Sequence, residues 1–292
     1  MNVDSSSHSR IAQHCPCCGG DAFSTSPAIL MPFIADRVFG WKPQLIDESW
    51  GLQTVPKGMA YSICNSILCR HCGFLFLDIR FTDSELSALY SGYRDDAYVS
   101  LREFYEPGYS QRNRELLKGI EHMPEIVSFL EPFVPEDVRL LDWGGDTGKN
   151  TPFKDRVSLF HIYEISNVTP VDGAQRVDIE TCRRTSYDLV VLSQVLEHVP
   201  FPLEVLRDVY SVMSDTSVLY IEVPHEQCML SPQRRQALPQ AKRHWHEHIN
   251  FFSESSLKEL LSRCNLEVCA IRSLPICESK SNVFQVVAKK ER

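Results

Sequence analysis

The sequence predicts an α/β fold, in which helices flank a largely parallel sheet, behind a small cysteine-rich N-terminal domain. Two observations indicate the sheet. Residues 138–141 form a short apolar run typical of a buried strand, and glycines follow at positions 144, 145 and 148. Further apolar runs then alternate with helical segments, as they do in parallel sheets. Such folds bind ligands at the carboxyl ends of their strands, so functional residues are expected there.

The glycine turn after the first strand is a candidate ligand loop. Asp142 closes the strand, and Gly144, Gly145 and Gly148 allow the backbone to approach a ligand closely because they lack a Cβ. No G-x-G-x-x-G pattern passes through these glycines, and the preceding carboxylate would repel a pyrophosphate. A ligand that carries an ammonium group and no phosphate fits better. S-adenosylmethionine is such a ligand.

Polar side chains follow the later strands in the order expected for a Rossmann-like sheet. Glu164 ends a second strand (residues 158–165), about 20 residues after Asp142, the offset at which an acid meets ribose hydroxyls. Asp178 belongs to a short third strand (177–179) and is a candidate for the adenine amino group. Gln194 follows the fourth strand and is a further candidate cofactor ligand. The remaining strands are predicted at residues 187–192, 217–223 and 283–288.

Two segments resemble a known family. Asp142-Trp-Gly-Gly-Asp-Thr-Gly148 is similar to the first motif, D-x-G-x-G-x-G, of class I S-adenosylmethionine-dependent methyltransferases, and Val195-Leu-Glu-His-Val199 resembles their fourth-strand signature. The resemblance implies that family's Rossmann-like sheet, with S-adenosylmethionine as cofactor. Asp146 departs from the pattern because it occupies the place of the middle glycine. A non-catalytic binding protein with a degenerate Rossmann domain is therefore the alternative.

Two C-x-x-C knuckles, at residues 15–18 and 69–72, predict a structural zinc site in the N-terminal domain. Each spacing lets one tight turn hold two sulfurs, and the glycine after each knuckle relieves that turn. Cys17 and His71 compete as ligands, but the regular spacing favours the outer cysteines. Four protein ligands leave no coordination position open, so the zinc is expected to be structural. The predicted ligands are Cys15, Cys18, Cys69 and Cys72.

Histidines are concentrated after the fourth and fifth predicted strands, where a methyl acceptor would lie. Five of the ten histidines fall between His198 and His248. His225 ends the fifth strand and is a catalytic candidate, with Glu226 expected to orient it. His198 is either a site residue or an anchor for the start of the next helix.

The segment Trp245-His-Glu-His-Ile-Asn-Phe-Phe252 resembles the Y-H-E-H-x-x-Y-F segment of zinc-containing sugar C-methyltransferases, which also carry four N-terminal cysteines. The resemblance implies that Glu247 and His248 are active-site residues, with His248 as a general acid/base. Trp245 replaces the family's tyrosine, and no counterpart of its C-terminal domain precedes Arg292, so methylation at oxygen is favoured over carbon.

The His246-Glu-His248 sequence has two other interpretations. It suits metal ligation, although no third ligand stands at a recognised spacing, and it also suits a solvated loop.

Composition narrows the partners and the compartment. The net charge of -8 argues against nucleic acid as a partner, and no apolar run reaches the ~20 residues that span a membrane. Eleven cysteines and the absence of a signal-peptide layout favour the cytoplasm. The resemblance to the sugar C-methyltransferases implies that the acceptor is a sugar, a nucleotide-sugar or a glycan precursor. The alternative is a macromolecule docked by the zinc domain.

Four parts are expected along the chain: a disordered tail (1–13), a zinc-binding domain (14–80), a helical linker or lid (81–134) and a Rossmann-like methyltransferase domain (135–292). The insert between the knuckles is expected to be irregular because of its prolines. In the linker, Thr82 and Glu85 predict a capped helix, and a second helix is expected at 112–130 with an interruption at Pro124. The linker's tyrosines either pack the domains together or form a lid.

Overall fold

The computed structural model describes residues 9–52, 54–166, 168–230, 237–276 and 281–291. Its strands are β1 (Phe23–Leu30), β2 (Gln44–Ile46), β3 (Gly58–Ala60), β4 (Ile63–Cys69), β5 (Leu75–Leu77), β6 (Val138–Trp143), β7 (Val157–Tyr163), β8 (Gln175–Arg176), β9 (Leu189–Ser193), β10 (Val218–His225), β11 (His244–Trp245), β12 (Asn250–Phe251), β13 (Leu266–Ile276) and β14 (Ser281–Lys290). Its helices are α1 (Pro32–Phe39), α2 (Asp83–Tyr90), α3 (Asp96–Tyr105), α4 (Tyr109–Leu116), α5 (Met123–Leu130), α6 (Ile179–Arg184), α7 (Pro202–Val212), α8 (Leu238–Ala241) and α9 (Glu254–Ser262).

A seven-stranded sheet carries the candidate site, in the order β13-β14-β10-β9-β6-β7-β8. The strands from β6 to β10 pair in parallel, whereas β14 lies antiparallel between β10 and β13. The predicted Rossmann-like fold is confirmed. Its central strands are apolar along nearly their whole length because helices cover both faces of the sheet.

The two faces of this sheet belong to separate cores. Leu141 and Val190 pack with the buried residues of α6, α7 and α9. Leu140 instead packs on the opposite face, against Ile126 and Leu130 of α5. Neighbouring strand residues point to opposite faces, so one apolar run supplies both cores. This arrangement fixes the carboxyl ends of β6, β7 and β9 side by side.

The N-terminal sheet is completed by a segment from late in the chain. Its order is β11-β1-β4-β5-β12, so residues 244–251, which the sequence assigns to the Rossmann-like domain, lie at both of its edges. The pairing covers edges that would otherwise expose unpaired backbone groups. The prediction that the insert between the knuckles is irregular is also wrong, since β1 pairs with β4 along seven residues. The two predicted domains are therefore interleaved.

Three further expectations change. Residues 1–8 of the predicted tail lie outside the described residues, but Ile11 bridges Ile79 and Arg10 pairs with Glu85, so the tail's end is ordered. The third strand lies at β8, two residues earlier than predicted, and Asp178 caps α6 instead. The edge strand β13 was not predicted at all.

The linker is helical, as expected, and reaches the candidate site. The capping box at Thr82 is present, and the second predicted helix is divided into α4 and α5, with Pro124 in the first turn of α5. Tyr98 and Tyr109 are buried, and Tyr98 packs edge-on against Phe33 of α1, so these tyrosines pack the linker against the N-terminal sheet. No helix within the described ranges has the length and apolar character needed to cross a bilayer.

Candidate active site

The loop after β6 requires its glycines. Gly144 has a φ of 77°, and a Cβ there would lie 2.6 Å from Cγ2 of Val195. A Cβ at Gly145 would lie 2.4 Å from the carboxyl carbon of Asp142, and Gly148 also has a left-handed φ, of 79°. Ordinary side chains would be strained or excluded at these positions. The loop therefore presents bare backbone to the carboxyl edge of the sheet.

Asp146 fits this loop although the family pattern has a glycine there. Its φ is 52°, a left-handed value that aspartate tolerates better than most residues. Its backbone N–H donates to Glu164 Oε2 at 3.1 Å, and its carboxylate lies 3.2 Å from the Arg94 guanidinium of the linker. Asp146 thus adopts a left-handed conformation, which a glycine would also allow, and its side chain contacts the linker.

Three predicted cofactor carboxylates lie at this edge of the sheet. Glu164 and Asp178 line one cleft of about 460 Å³, where β7 ends and α6 begins. Asp142 lies beneath the loop, where burial raises its pKa to about 7 even though the Thr151 hydroxyl donates to it. Hydrogen bonds from the Thr181 side chain and from the Thr181 N–H lower the pKa of Asp178. The cleft has room and acceptors for a nucleoside whose ribose and base carry donor groups.

Gln194 is directed toward a buried network. Its φ is 57°, and its Nε2 donates to Glu222 Oε1 at 3.1 Å. Glu222 also accepts from His122, Tyr220 and Gln285. Burial alone would raise the pKa of Glu222, but hydrogen bonds, led by that of His122, outweigh burial and lower it. Gln194 therefore anchors the end of β9, and its contact with the cofactor stays a prediction.

The predicted pair Glu247 and His248 lies on the loop between β11 and β12. Arg102 of α3 binds the Glu247 carboxylate at 2.6 Å. Burial would raise the pKa of Glu247, but the Arg102 charge dominates and holds it at about 2. His248 Nδ1 lies 3.0 Å from Glu226. Burial would lower the pKa of His248, but Glu226 and the neighbouring carboxylates outweigh it and raise that pKa.

His198 and Glu197 complete this group from the end of β9. The His198 ring lies 4.7 Å from that of His248, at 82°, and several residues ahead of α7. The interpretation of His198 as a helix anchor is therefore wrong. Burial, aided by the charge of His248, lowers the pKa of His198 to about 3. Burial raises the pKa of Glu197 to about 7.

Two other predictions at this site change. His225 stacks on Phe284 with ring centroids 4.0 Å apart, and its Nδ1 lies 2.8 Å from the Ser273 hydroxyl. Glu226, its predicted partner, binds His248 instead, so His225 lies apart from the histidine pair. Trp245 is fully buried in the N-terminal sheet, and its indole donates to Ser66. It packs the sheet and does not face the acceptor side.

The four predicted zinc ligands converge. The Cys15 and Cys72 sulfurs are 3.6 Å apart, those of Cys18 and Cys69 are 3.5 Å apart, and all four lie within 4.8 Å of one another. A tetrahedral zinc with Zn–S bonds of ~2.3 Å requires sulfur separations of ~3.8 Å, so the donor set fits the ion. Among the described residues, this group includes neither of the competing ligands predicted within the knuckles.

Comparison with known proteins identifies the fold and the reaction. A family described as the methyltransferase domain matches residues 110–271, more than half of the chain. The chain belongs to this methyltransferase family. It is an S-adenosylmethionine-dependent methyltransferase. No curated protein matches the sequence significantly.

Solved structures resemble this methyltransferase in fold. The 1,6-didemethyltoxoflavin N1-methyltransferase of Burkholderia thailandensis, bound to its substrate and S-adenosylhomocysteine, is 14% identical with a TM-score of 0.50 and covers 86% of this chain and 100% of its own. A methyltransferase of Methanosarcina mazei is 17% identical, with a TM-score of 0.43 and coverage of 56% and 97%. Magnesium protoporphyrin IX methyltransferase of Synechocystis is 13% identical, with a TM-score of 0.41 and coverage of 59% and 83%.

The methyltransferase site includes residues that sequence reasoning missed. Glu197 lies within the fourth-strand signature but was given no role, and Arg102 and Tyr90 come from the linker helices. The Tyr90 hydroxyl lies 2.9 Å from His198 Nδ1. The position of Glu197 beside a motif histidine was the one available signal. Nothing in the sequence links α2 and α3 to the loop of His248.

Proposed function

We propose that this methyltransferase transfers a methyl group to a hydroxyl of a sugar, nucleotide-sugar or glycan precursor. The observation that carries the proposal is the pairing of His248 with Glu226 beside the carboxyl ends of the parallel strands. The likeness of residues 245–252 to the sugar methyltransferase segment supports a sugar acceptor. Oxygen is the favoured acceptor atom because Trp245 is buried elsewhere and supplies no phenol for proton movement at carbon.

The chain's own residues would bind the cofactor in a defined order along the sheet edge. Glu164 would accept hydrogen bonds from the ribose hydroxyls, and Asp178 from the adenine amino group. Asp142 and the bare backbone at Gly144 would face the end that carries the ammonium group. S-adenosylmethionine, when bound, supplies a methyl group on a positively charged sulfur. The residues serve to align that group with an acceptor atom at ~3 Å.

On the acceptor side, His248 would assist removal of the hydroxyl proton. Its Nδ1 is held by Glu226 at 3.0 Å, which leaves Nε2 for the acceptor side. Glu247 is a second carboxylate near His248, besides Glu226. Arg102 neutralises it, so it adds no unpaired charge beside the histidines. These contacts fix the imidazole before any acceptor arrives.

We also propose that the four converging cysteines hold a structural zinc. Gly19 and Gly73, which follow the knuckles, share a φ of 75°, and each N–H donates to the carbonyl of the first cysteine in its knuckle. Ser253, at the start of α9, donates to the Cys72 carbonyl, and Arg263 donates to that of Cys17. The zinc would therefore hold the knuckles against α9. Such a site requires reduced thiols, so we place the protein in the cytoplasm.

The test is His248→Asn, assayed with a panel of nucleotide-linked and free sugars by release of S-adenosylhomocysteine. Turnover should fall by ~10²-fold or more, whereas affinity for S-adenosylmethionine should stay the same. His244→Gln is the matched control, because His244 lies in the same segment with its side chain exposed. Near-normal turnover in His248→Asn would refute the assignment.

A further inference from the structure

The buried carboxylate of Glu197 has no hydrogen-bond partner in the described part of the chain. Its residue is 1% exposed, and both carboxylate oxygens are unpartnered. The His198 ring lies beside it, but its Nε2 is 3.8 Å from Oε1, beyond hydrogen-bond distance. Burying a carboxylate without a partner costs on the order of several kcal/mol. Such a group therefore indicates a position at which a ligand would supply the missing partner.

Two imidazoles face this carboxylate with their outer nitrogens already bound. His198 Nδ1 lies 3.2 Å from the Glu247 carbonyl and 2.9 Å from the Tyr90 hydroxyl, so Nδ1 is occupied and Nε2 is the nitrogen directed toward Glu197. His248 Nδ1 is likewise occupied, 3.0 Å from Glu226. Histidines that bind metals are held in this way, with the second nitrogen donating to a carboxylate or a carbonyl.

We propose that Glu197, His198 and His248 form a binding site for a divalent transition-metal ion. Their ligand atoms all lie within 4.8 Å of one another. Metal–ligand bonds of ~2.0–2.1 Å in a tetrahedral site would hold the ligand atoms ~3.4 Å apart. The 3.8 Å between Glu197 Oε1 and His198 Nε2 would therefore have to shorten by only ~0.4 Å. Spatial convergence thus provides the ligands that sequence spacing alone did not reveal for His248.

The ion would explain the charges around the site. Arg102 neutralises Glu247, but no described lysine or arginine forms an ion pair with Glu197. Two imidazoles and a carboxylate suit zinc, iron(II) or manganese(II), and three protein ligands leave positions open. This site would therefore differ from the four-cysteine site, which is closed.

This inference rests on the proposed function but changes the part of His248 in it, from proton acceptor to metal ligand. An acceptor hydroxyl bound at an open position would have a lowered pKa and would lose its proton to solvent. The oxygen would then form a bond to the methyl carbon as the carbon–sulfur bond breaks, leaving the sulfur neutral. His248 would assist as a ligand that holds the ion.

The test is titration of the full-length, zinc-replete protein with Mn²⁺ alone, followed by the loss of the free-ion electron paramagnetic resonance signal, with total zinc measured in parallel. Wild type should bind one Mn²⁺, or retain a second zinc, per chain. Glu197→Gln should weaken this binding by at least ~10-fold, and Glu226→Gln, which alters only the outer partner of His248, by ~10- to 100-fold. His244→Gln should bind like wild type.

Folding is checked separately in each variant by thermal melting and by affinity for S-adenosylmethionine. Glu197→Gln should melt at the same temperature as metal-free wild type or higher, because a neutral amide is cheaper to bury than an unpartnered carboxylate. Wild type that binds neither Mn²⁺ nor a second zinc would overturn the inference, as would unchanged binding in Glu197→Gln. Methyl transfer that persists without metal would refute this inference while leaving the proposed function standing.

Discussion

Removal of the Glu164 carboxylate should weaken cofactor binding without unfolding the protein. Glu164 ends β7 and lines the cleft shared with Asp178. Its two oxygens already accept from the backbone N–H groups of Asp146, at 3.1 Å, and Ser166, at 2.8 Å. These bonds hold the carboxylate in place, and the remaining lone pairs are available to the ribose hydroxyls.

The size of the effect follows from the kind of bond that is lost. A hydrogen bond to a charged group contributes about 1.5–3 kcal/mol. Since 1.4 kcal/mol is a factor of ten, Glu164→Ala should raise the dissociation constant of S-adenosylmethionine by about 10- to 100-fold. Glu164→Gln keeps one carbonyl oxygen for the Asp146 N–H, so the loop should hold and the loss should be smaller.

Isothermal titration calorimetry with S-adenosylmethionine and S-adenosylhomocysteine measures this change, and circular dichroism checks the fold. Glu180→Gln is the matched control because its side chain is exposed on α6 beside the cleft. An unchanged dissociation constant in Glu164→Ala, with the fold intact, would refute the placement of the ribose.

The remaining predictions concern the zinc and the buried Asp142. Chelation of zinc under reducing conditions should unfold the knuckle region and lower the melting temperature. Cys18→Ser should hold about one zinc per chain fewer than wild type, whereas Cys269→Ser, at an exposed cysteine, should hold as much as wild type. Full stability without zinc would contradict the structural role. Because burial raises the pKa of Asp142 to about 7, binding a cation-bearing cofactor should release a proton at about pH 6, and affinity should rise toward neutral pH. Calorimetry in buffers of different ionisation enthalpy measures the number of protons released. If the wild-type protein released no proton, or if Asp142→Asn still released one, the prediction would be contradicted.

Local patterns were sufficient to predict the central sheet and the cysteine site. Strands such as β6 and β9 are apolar along almost their whole length, so short runs in the sequence reveal them. The edge strand β13 was missed because its residues alternate between half-buried and exposed and include Pro275. In β1, Ser24, Ser26 and Pro27 concealed a strand that is buried only toward its end.

Contacts between distant segments could not be predicted. Ser66 meets the Trp245 indole, and Arg102 meets Glu247, only because residues 244–251 return to the N-terminal sheet. No local sequence pattern predicts that these residues pair with the N-terminal sheet. The same holds for Glu197, because His248, which lies close to it, is on a loop about fifty residues later. The resemblance of residues 245–252 to a known segment was sufficient to identify His248. The residues that surround it could be identified only from the structure.

A crystal structure of the complex with S-adenosylhomocysteine would show directly whether the cofactor lies along the carboxyl ends of the parallel strands. We expect the ribose hydroxyls to bind Glu164, the adenine to lie next to Asp178, and the sulfur to face His198 and His248 with room for an acceptor oxygen in between. A ligand bound with its ribose away from Glu164, or with its sulfur turned from the two histidines, would refute this placement of the site.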